Sequence, residues 1–356
     1  MTNKFFHRCA ALTLGLALCP GLAQANHTAD KLADLGERYL YSNSYRAAVE
    51  CLQQAADLGN AKAQYMLGEC YRDGIGVKVN SEKSEQLIKQ ALASFEALAQ
   101  NGDAQAMLRL GKMFELGQGT EADPERAQLW YALGINSITK EAKRGDAISQ
   151  TILGECYDDG VGVPQNLNEA LKWYKKAAEQ GYSRAQLYLG FYHSGYNGAL
   201  TDKAEAIKWY RRAAEQGSAM AQLLLGDCYN DIYSNAQESA EAVEWFTKAA
   251  NKGLALAQVF LGDCYAYGKG VTADPVQAFN WYNQAAEQGD LQAMMKVATC
   301  YRDGAGVTKD AEKAEFWFAK VAETIPATHR ERDQQADTPG DPQAAEKVVE
   351  KLEPTL

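Results

Sequence analysis

The sequence predicts an all-α fold, a solenoid of about eight stacked helical hairpins, because two short phrases alternate along most of its length. The first phrase reads LGECY from Leu67 and Leu153, and LGDCY from Leu225 and Leu261. The second is of the type WYKKAAEQG and ends in a glycine. Five of these glycines are spaced 36 residues apart, at Gly145, Gly181, Gly217, Gly253 and Gly289. A period of this length is typical of repeated helix pairs, so each repeat is predicted to be one hairpin.

The second helix of each hairpin has a clear predicted start, seven residues before the tryptophan position of its phrase. Ser, Asn and Asp are good caps for a helix N-terminus. They occupy this position at Ser44, Asn80, Asp123, Asn166, Asp202, Asp274 and Asp310. Only Glu238 departs from the pattern. Pro124 and Pro275 follow their caps at the first helical position, where a missing N–H has no cost.

Pairs of glycines are predicted to form the turn between the two helices of a hairpin. The pairs are Gly74/Gly76, Gly160/Gly162, Gly268/Gly270 and Gly304/Gly306. They follow no strand and lack a third glycine, which argues against a phosphate-binding loop. Two repeats, 59–102 and 102–145, are 43 residues long. Their extra seven residues fall in the second helix and lengthen it by nearly two turns.

The N-terminal 25 residues resemble a secretory signal peptide. Lys4 and Arg8 precede the apolar stretch Cys9–Cys19, which is too short to span a bilayer, and Ala23-Gln24-Ala25 offers a cleavage site. We therefore expect cleavage after Ala25 and a soluble, periplasmic protein. Lipid anchoring at Cys19 is the alternative, although Leu18 is unfavourable for it. The predicted division is 1–25 signal peptide, 26–325 solenoid and 326–356 tail.

The charge of the chain is negative. The formal net charge is −10 and becomes −12 without residues 1–25, because that segment holds two bases and no acid. This balance argues against nucleic acid or an anionic membrane surface as a partner, since both favour basic patches. A basic protein partner is compatible with it.

The repeated pattern AxxWYxxAAxxGxxxAQxxLGxxYxxGxGV is similar to the Sel1-like repeat, a relative of the tetratricopeptide repeat. The resemblance covers residues 29–324 in eight units. It implies a right-handed α/α superhelical solenoid whose first helices line a concave surface that holds other proteins. The segment NDIYSNAQES after Gly226 departs most from the pattern, because it replaces the glycine turn.

Several conspicuous side chains are better explained by packing than by chemistry. Cys70, Cys156, Cys228, Cys264 and Cys300 share one repeat position, and the tryptophans share another, so both sets are expected in the core. A disulfide between Cys51 and Cys70 is the alternative for that pair. No His or Cys stands at metal-ligand spacing, and no cofactor is predicted. His193 replaces the tyrosine of other repeats and is expected to be a core substitution.

One tetrapeptide, Ser137-Ile138-Thr139-Lys140, matches the Ser-x-x-Lys pattern of β-lactamases, and some members of the resembled family have been labelled β-lactamases. The companion Lys-Thr-Gly and Ser-Asp-Asn motifs are absent from the sequence. The match also lies inside a predicted helix. We therefore expect no catalytic activity, and a hydrolase that depends on Ser137 is the alternative of another class.

Acidic residues recur near the end of the first helices, where they oppose the helix dipole and gain nothing from it. Asp before Gly suits a solvated turn, which accounts for Asp73, Asp159 and Asp303 but not for the other acids. In a tetratricopeptide-like packing these positions face the concave groove, and aromatic residues, including Tyr196 and Tyr233, stand nearby. The predicted partner-binding residues are Glu69, Asp73, Glu155, Asp158, Asp159, Phe191, Asp227, Asp231, Asp263, Tyr267 and Asp303.

After Thr324 the repeats stop, and HRERDQQADTPGDPQ has the composition of a flexible spacer. A short helix over 342–352, capped by Asp341, is expected either to shield the last repeat or to form a loose tail. The resemblance implies three roles for an exported solenoid. They are an immunity protein against a toxic lipase delivered by type VI secretion, a regulator of a membrane sensor, and a host-interaction factor. The immunity protein is preferred, with a toxic effector as the partner.

Overall fold

The computed structural model of the chain describes residues 20–41, 44–195, 202–230 and 235–324. Within these ranges the regular elements are sixteen α-helices, which alternate as first and second helices of hairpins. The first helices are α1 (Pro20–Tyr41), α3 (Ala61–Asp73), α5 (Ala104–Leu116), α7 (Ala147–Asp159), α9 (Ser183–His193), α11 (Ala219–Tyr229), α13 (Ala255–Tyr267) and α15 (Leu291–Asp303). The second helices are α2 (Tyr45–Asp57), α4 (Ser81–Gln100), α6 (Pro124–Lys143), α8 (Leu167–Glu179), α10 (Lys203–Glu215), α12 (Ala236–Ala250), α14 (Pro275–Glu287) and α16 (Ala311–Thr324).

The helices group into two compact units. Among the described residues, the early unit takes its members from 6–38 and 48–218, and the late unit from 39–47 and 219–356. Inside each unit, a first helix packs against the second helix of its own hairpin, and that second helix packs against the first helix of the next hairpin. This is the arrangement of a helical solenoid, so the predicted all-α fold of stacked hairpins is confirmed.

Helix α1 begins at Pro20, within the predicted signal peptide. Cleavage after Ala25 would therefore remove the first six residues of this helix. Lys4, Arg8 and Cys19 lie outside the described residues, as does the whole segment 325–356 with its expected helix over 342–352.

A glycine at the eighth residue of the first helices allows the two helices of a hairpin to approach closely. A Cβ atom on Gly154 would lie 2.6 Å from the Cδ1 and Cε1 atoms of the Tyr174 ring, and one on Gly68 would lie 2.7 Å from Ile88 Cδ1. Real Cβ atoms do not approach other atoms this closely, so the ring packs directly on the backbone of the facing helix. The recurring Leu-Gly of the first phrase is thus a packing requirement.

The glycine turns have the predicted role. Gly160 adopts a φ of +72° and its N–H donates to the carbonyl of Cys156, which ends α7 in a left-handed cap. Helices α4 and α6 are each 20 residues long, whereas α3 has 13, so the seven extra residues of the longer repeats do extend the second helix.

The predicted caps are confirmed at Asn80, Asp123, Asn166, Asp202 and Asp274, whose side chains accept a hydrogen bond from a backbone N–H in the first turn. Asp310 does the same for Lys313. Glu238, the departure from the pattern, is not the cap of its helix. Helix α12 begins three residues earlier, with Asn235 as its cap, and Glu238 accepts a reciprocal bond from the Asn235 backbone N–H. This capping box satisfies two backbone donors at once.

Glutamines connect successive hairpins through a hydrogen-bond relay that recurs in both units. Gln150 donates through Nε2 to the carbonyl of Ala142 at 3.0 Å, and its Oε1 accepts from Gln180 of the following second helix at 2.7 Å. The same relay runs through Gln186 and Gln216, and through Gln258 and Gln288. The glutamines of the AQ and AAEQG phrases therefore satisfy one another where they are buried, which avoids the cost of an unpaired polar group.

The aromatic and cysteine positions are mainly core positions. Trp173, Trp209, Trp245 and Trp317 are buried, and several carry a lysine over the ring face, such as Lys176, whose Nζ lies 4.1 Å from the Trp173 ring centroid. Cys70, Cys156, Cys264 and Cys300 are buried, whereas Cys228 is partly buried. Cys51 is a free thiol, so the structure contains no bond between Cys51 and Cys70.

Candidate functional site

The predicted binding residues lie on one stripe of the first helices. The second, sixth, ninth and thirteenth residues of such a helix share a face, because they are spaced by three or four positions. We call this face the polar stripe. Its ninth position holds Glu69, Glu155, Phe191, Asp227 and Asp263, and its thirteenth position holds Asp73, Asp159, Tyr267 and Asp303. In α1, which begins earlier, Glu37 occupies the equivalent place directly after Leu35-Gly36. Asp158 stands at the twelfth position, beside the stripe, and Asp231 lies outside the described residues.

Ion pairs link the ninth residue of one first helix to the second or sixth residue of the next. Such pairs join Glu37 to Lys62, Glu155 to Arg184 and Asp263 to Lys296, with nitrogen–oxygen distances of 2.8, 2.9 and 2.8 Å. These three acids therefore have a base of the following hairpin as a partner. These bases were not among the residues predicted from the sequence, although a Lys or Arg stands 25–33 residues after each of the three acids.

Glu69 and Asp73 are neutralised within their own helix. The guanidinium of Arg72 donates to both carboxylate oxygens of Asp73 at 2.8 Å, and to Glu69 at 3.2 Å. The hydroxyl of Tyr65 also donates to Glu69, at 3.1 Å. These contacts are partly exposed, where an ion pair contributes about 0–1 kcal/mol at most. Their effect is to fix the carboxylates in place.

In the late unit, Asp263 is half-buried and accepts from Lys296 at 2.8 Å and from the hydroxyl of Tyr282 at 2.5 Å. Burial, together with the charge of Asp263, raises the pKa of Tyr282 well above its usual range, so this phenol stays a donor. Asp303 is exposed and paired with Arg302, whose hydrogen bond lowers the pKa of the Asp303 carboxyl.

The remaining predicted residues lie closer to the surface. Asp158 and Asp159 are half-buried and Asp227 is exposed. The hydroxyl of Tyr174 donates weakly to Asp158 at 3.4 Å. Tyr267 is 78% exposed, and Phe191 packs edge-on against Tyr210 with ring centroids 5.9 Å apart.

Glu155 differs from the other acids because it is buried, with a residue exposure of 3%. Burial raises the pKa of its carboxyl to about 7, and the charges of Asp159 and Glu37 act in the same direction. The attraction of Arg184, the next largest effect, and a contact with the Tyr188 hydroxyl oppose this shift without cancelling it. Desolvation therefore outweighs the ion pair at this site.

A small pocket opens beside Glu155 in the early unit. It is lined by Gln105, Ile148, Thr151, Ile152, Glu155, Tyr182 and Arg184. Three oxygen atoms of its lining are buried. Oε1 of Gln105 accepts no hydrogen bond from the described residues, whereas the carboxylate of Glu155 contacts Arg184 and the Tyr188 hydroxyl. The Nε atom of Arg184 is 2.9 Å from Glu155 Oε1, so this contact is an ion pair without hydrogen-bond alignment.

The described residues were also compared with the geometry of a metal site, a Ser-x-x-Lys site and a membrane-spanning helix. No three His, Cys, Asp or Glu side chains of the described residues are placed to hold a metal ion. Ser137 and Lys140 both lie in the C-terminal half of helix α6, Lys140 in its last turn, with Ser137 partly buried and Lys140 exposed. The helices that the structure describes include none that combines the length and the apolar character needed to cross a membrane.

Comparison with known families finds eight matches to the model of the Sel1 repeat. They cover residues 32–60, 61–94, 104–137, 147–182, 183–218, 219–254, 255–290 and 291–323. A comparison with curated protein sequences found no match.

Solved structures of similar proteins include c5321, described as a protective antigen of uropathogenic Escherichia coli with an SLR fold. It is 28% identical, with a TM-score of 0.50, over 93% of this chain and 85% of that one. A Sel1 repeat protein from Oxalobacter formigenes is 31% identical, with a TM-score of 0.49, over 72% of this chain and 96% of that one. The immunity protein Pa5087 from Pseudomonas aeruginosa is 20% identical, with a TM-score of 0.36, over 55% and 74%. The last likeness is too distant to carry an argument about function.

Proposed function

Because the chain belongs to the Sel1 repeat family, we propose that it is a non-catalytic scaffold that holds a basic protein partner along the polar stripe. Sel1 repeats mediate protein–protein interactions, so a protein partner follows from the family. The observation that carries the proposal is the polar stripe itself. It places acidic side chains at equivalent positions of several first helices in each unit, although polar contacts are not needed to pack the hairpins.

The charge of the partner follows from the balance of the chain. The net charge is −10 over the full sequence, and the stripe contributes exposed or half-buried acids in both units. A basic surface is attracted to such a chain at long range and gains specificity from the fixed positions of the carboxylates. An anionic partner would be repelled.

The specific role that we propose is an immunity protein that acts in the periplasm and neutralises a toxic effector. The signal-peptide features of residues 1–25 support export to the compartment where such a toxin arrives. A binding scaffold needs only a tight and specific surface for this task. The exposed Asp227 and Tyr267 are candidate contacts, because an aromatic side chain beside charged groups is a favourable interface element.

An immunity protein is usually encoded beside its toxin, so the test uses the gene next to the one for this chain. Its product is expressed in the periplasm of a host cell, with and without this chain, and growth is measured. We expect the product of the neighbouring gene to impair growth and the full chain to restore it. A chain that lacks residues 1–25 should leave growth impaired. A pull-down from the envelope fraction with tagged residues 26–356 supplies the partner directly. Capture of a membrane sensor, with no protection of growth, would replace the immunity role with a regulatory one.

A further inference from the structure

We infer that one exposed face of helix α6, in the early unit, is a docking surface for a second copy of this chain. Residues spaced three or four positions apart share a helix face. We call this one the α6 face, and its exposed residues are Glu125, Leu129, Ala132, Leu133, Asn136 and Lys140. The polar stripe lies on first helices, whereas α6 is a second helix, so the two surfaces are distinct.

The α6 face carries two leucines that remain largely in contact with solvent. The exposed fraction is 58% for Leu129 and 44% for Leu133. They stand one residue before and three residues after the tryptophan position of the second phrase. In α4, α8 and α10 the same positions hold amide or basic side chains, at Gln86 and Gln90, at Lys172 and Lys176, and at Lys208 and Arg212. An apolar pair where related helices are polar indicates a surface that another molecule covers.

The unusual length of α6 completes this face. Helix α6 has 20 residues, whereas α8 has 13. A helix of the shorter length would end at Asn136, four residues before Lys140. The added residues therefore bring a basic side chain to one end of the face, opposite in charge to Glu125 at the other end.

The order of these residues favours a second copy over a different protein. The spacing of the α6 face is the same in both directions about a point between Ala132 and Leu133. Two antiparallel copies of α6, related by a two-fold axis through this point, place Glu125 of each copy opposite Lys140 of the other. The leucines then lie near the centre of the contact, where they bury apolar surface. A parallel pair would place like charges opposite each other at both ends.

The size of the α6 face limits the affinity of this contact. Glu125 and Lys140 lie about 22 Å apart along the helix, at a rise of about 1.5 Å per residue. One helix pair of this length buries less than the ~1,600 Å² of a standard stable interface. We therefore expect a reversible dimer with a dissociation constant on the order of 10 μM.

The test is sedimentation velocity of the full chain from about 1 to 200 μM, a range that covers the expected dissociation constant. The wild type should shift from monomer to dimer as its concentration rises. Glu125→Lys and Lys140→Glu should each weaken the dimer at least about tenfold, because like charges then meet at both ends. Leu133→Lys should weaken it by a similar factor, and it introduces the side chain that α8 carries at this position.

Combining the two charge variants tests the antiparallel arrangement. The double variant has opposite charges at both ends again, so it should regain near wild-type affinity. An equimolar mixture of the two single variants should regain it for the same reason. General repulsion between acidic chains predicts a different pattern, in which Glu125→Lys strengthens the association and Lys140→Glu weakens it.

Glu82→Lys is the matched control, because Glu82 stands in the first turn of α4, the other second helix of 20 residues. It lies outside the α6 face and should leave the dimer unchanged. Far-UV circular dichroism confirms that each variant is folded. The proposed function is tested separately, since the monomeric Leu133→Lys variant should bind the protein partner with near-normal affinity.

A wild type that stays monomeric up to about 200 μM overturns the inference, whatever other molecule binds the α6 face. A dimer that Glu125→Lys and Leu133→Lys leave unchanged also overturns it, because the copies then associate through another surface. If the single variants weaken the dimer and the double variant does not restore it, the antiparallel pairing of Glu125 with Lys140 is wrong.

Discussion

Replacing Glu155 by Gln should stabilise the protein at high pH, and the size of the effect follows from the buried carboxyl. The ordinary pKa of Glu is 4.5, and burial raises that of Glu155 to about 7 in the folded state. A folded-state pKa above the unfolded one means that the native protein holds an extra proton between these values. Stability from this group is therefore present below pH 4.5 and is lost as the pH rises through 7.

The full shift corresponds to at most about 3 kcal/mol of unfolding free energy. Gln imitates the protonated acid at every pH. The variant should match the wild type near pH 5 and exceed it in stability at pH 8, by a difference that approaches this limit. Asp290, whose pKa burial raises to about 6, adds a trend of the same sign to both proteins and cancels in the comparison.

The assay is urea unfolding followed by far-UV circular dichroism at pH 5, 6, 7 and 8, with midpoints compared at equal slope. Glu85→Gln is the control and should show little difference in trend, because Glu85 is exposed. If Glu155→Gln instead loses stability relative to wild type between pH 5 and 8, the ion pair with Arg184 outweighs desolvation and the reasoning is wrong.

Four further predictions concern single residues of the helices and turns. Asn235→Ala should lower the unfolding free energy by about 1 kcal/mol in urea titrations, because it removes the cap of α12, and Ser at this position should restore it. Gly160→Ala should lower the unfolding free energy by about 1–2 kcal/mol, because the residue has a φ of +72°. Gly160→Asn should be better tolerated, since Asn adopts this conformation more readily. Equal thermal midpoints for the wild type and the two variants would contradict this prediction. Trp173→Ala should cost about 3–5 kcal/mol by the same titration, since the ring is buried. The Cys156 thiol, whose pKa burial raises, should react with a thiol reagent at least about tenfold more slowly in the native protein than in denaturant.

The fold could be predicted from the sequence because its signals are local and repeated. Caps, glycine turns and lengthened helices each depend on a few neighbouring residues, and eight copies of the pattern reinforce one another. The start of α12 at Asn235 was not predicted, because each cap was placed at a fixed distance before the tryptophan position of the second phrase. The helix there begins earlier than in the other repeats, and a fixed offset cannot detect that.

The candidate site was less predictable, because its contacts join residues from different hairpins. The repeat pattern placed the acids on one helix face, but it did not indicate their basic partners. Lys62, Arg184 and Lys296 resemble ordinary surface residues of a helix when each repeat is read alone. Burial of Glu155 is equally invisible in the phrase LGECY, which occurs at Leu67 with a partly exposed Glu69. The difference arises from which side chains the neighbouring hairpins supply.

The most direct test of binding along the polar stripe is the affinity of the captured partner for a chain with reversed charges on and directly beside that stripe. Asp158→Lys, Asp159→Lys and Asp227→Lys are combined, and the control combines Glu179→Lys, Glu215→Lys and Glu287→Lys, three exposed acids of second helices. Both variants change the net charge equally. We predict that the partner binds the stripe variant at least about tenfold more weakly than the wild type and that its affinity depends less on salt. The control variant should bind the partner with near-normal affinity. Equal affinity of the two variants would contradict binding along the polar stripe.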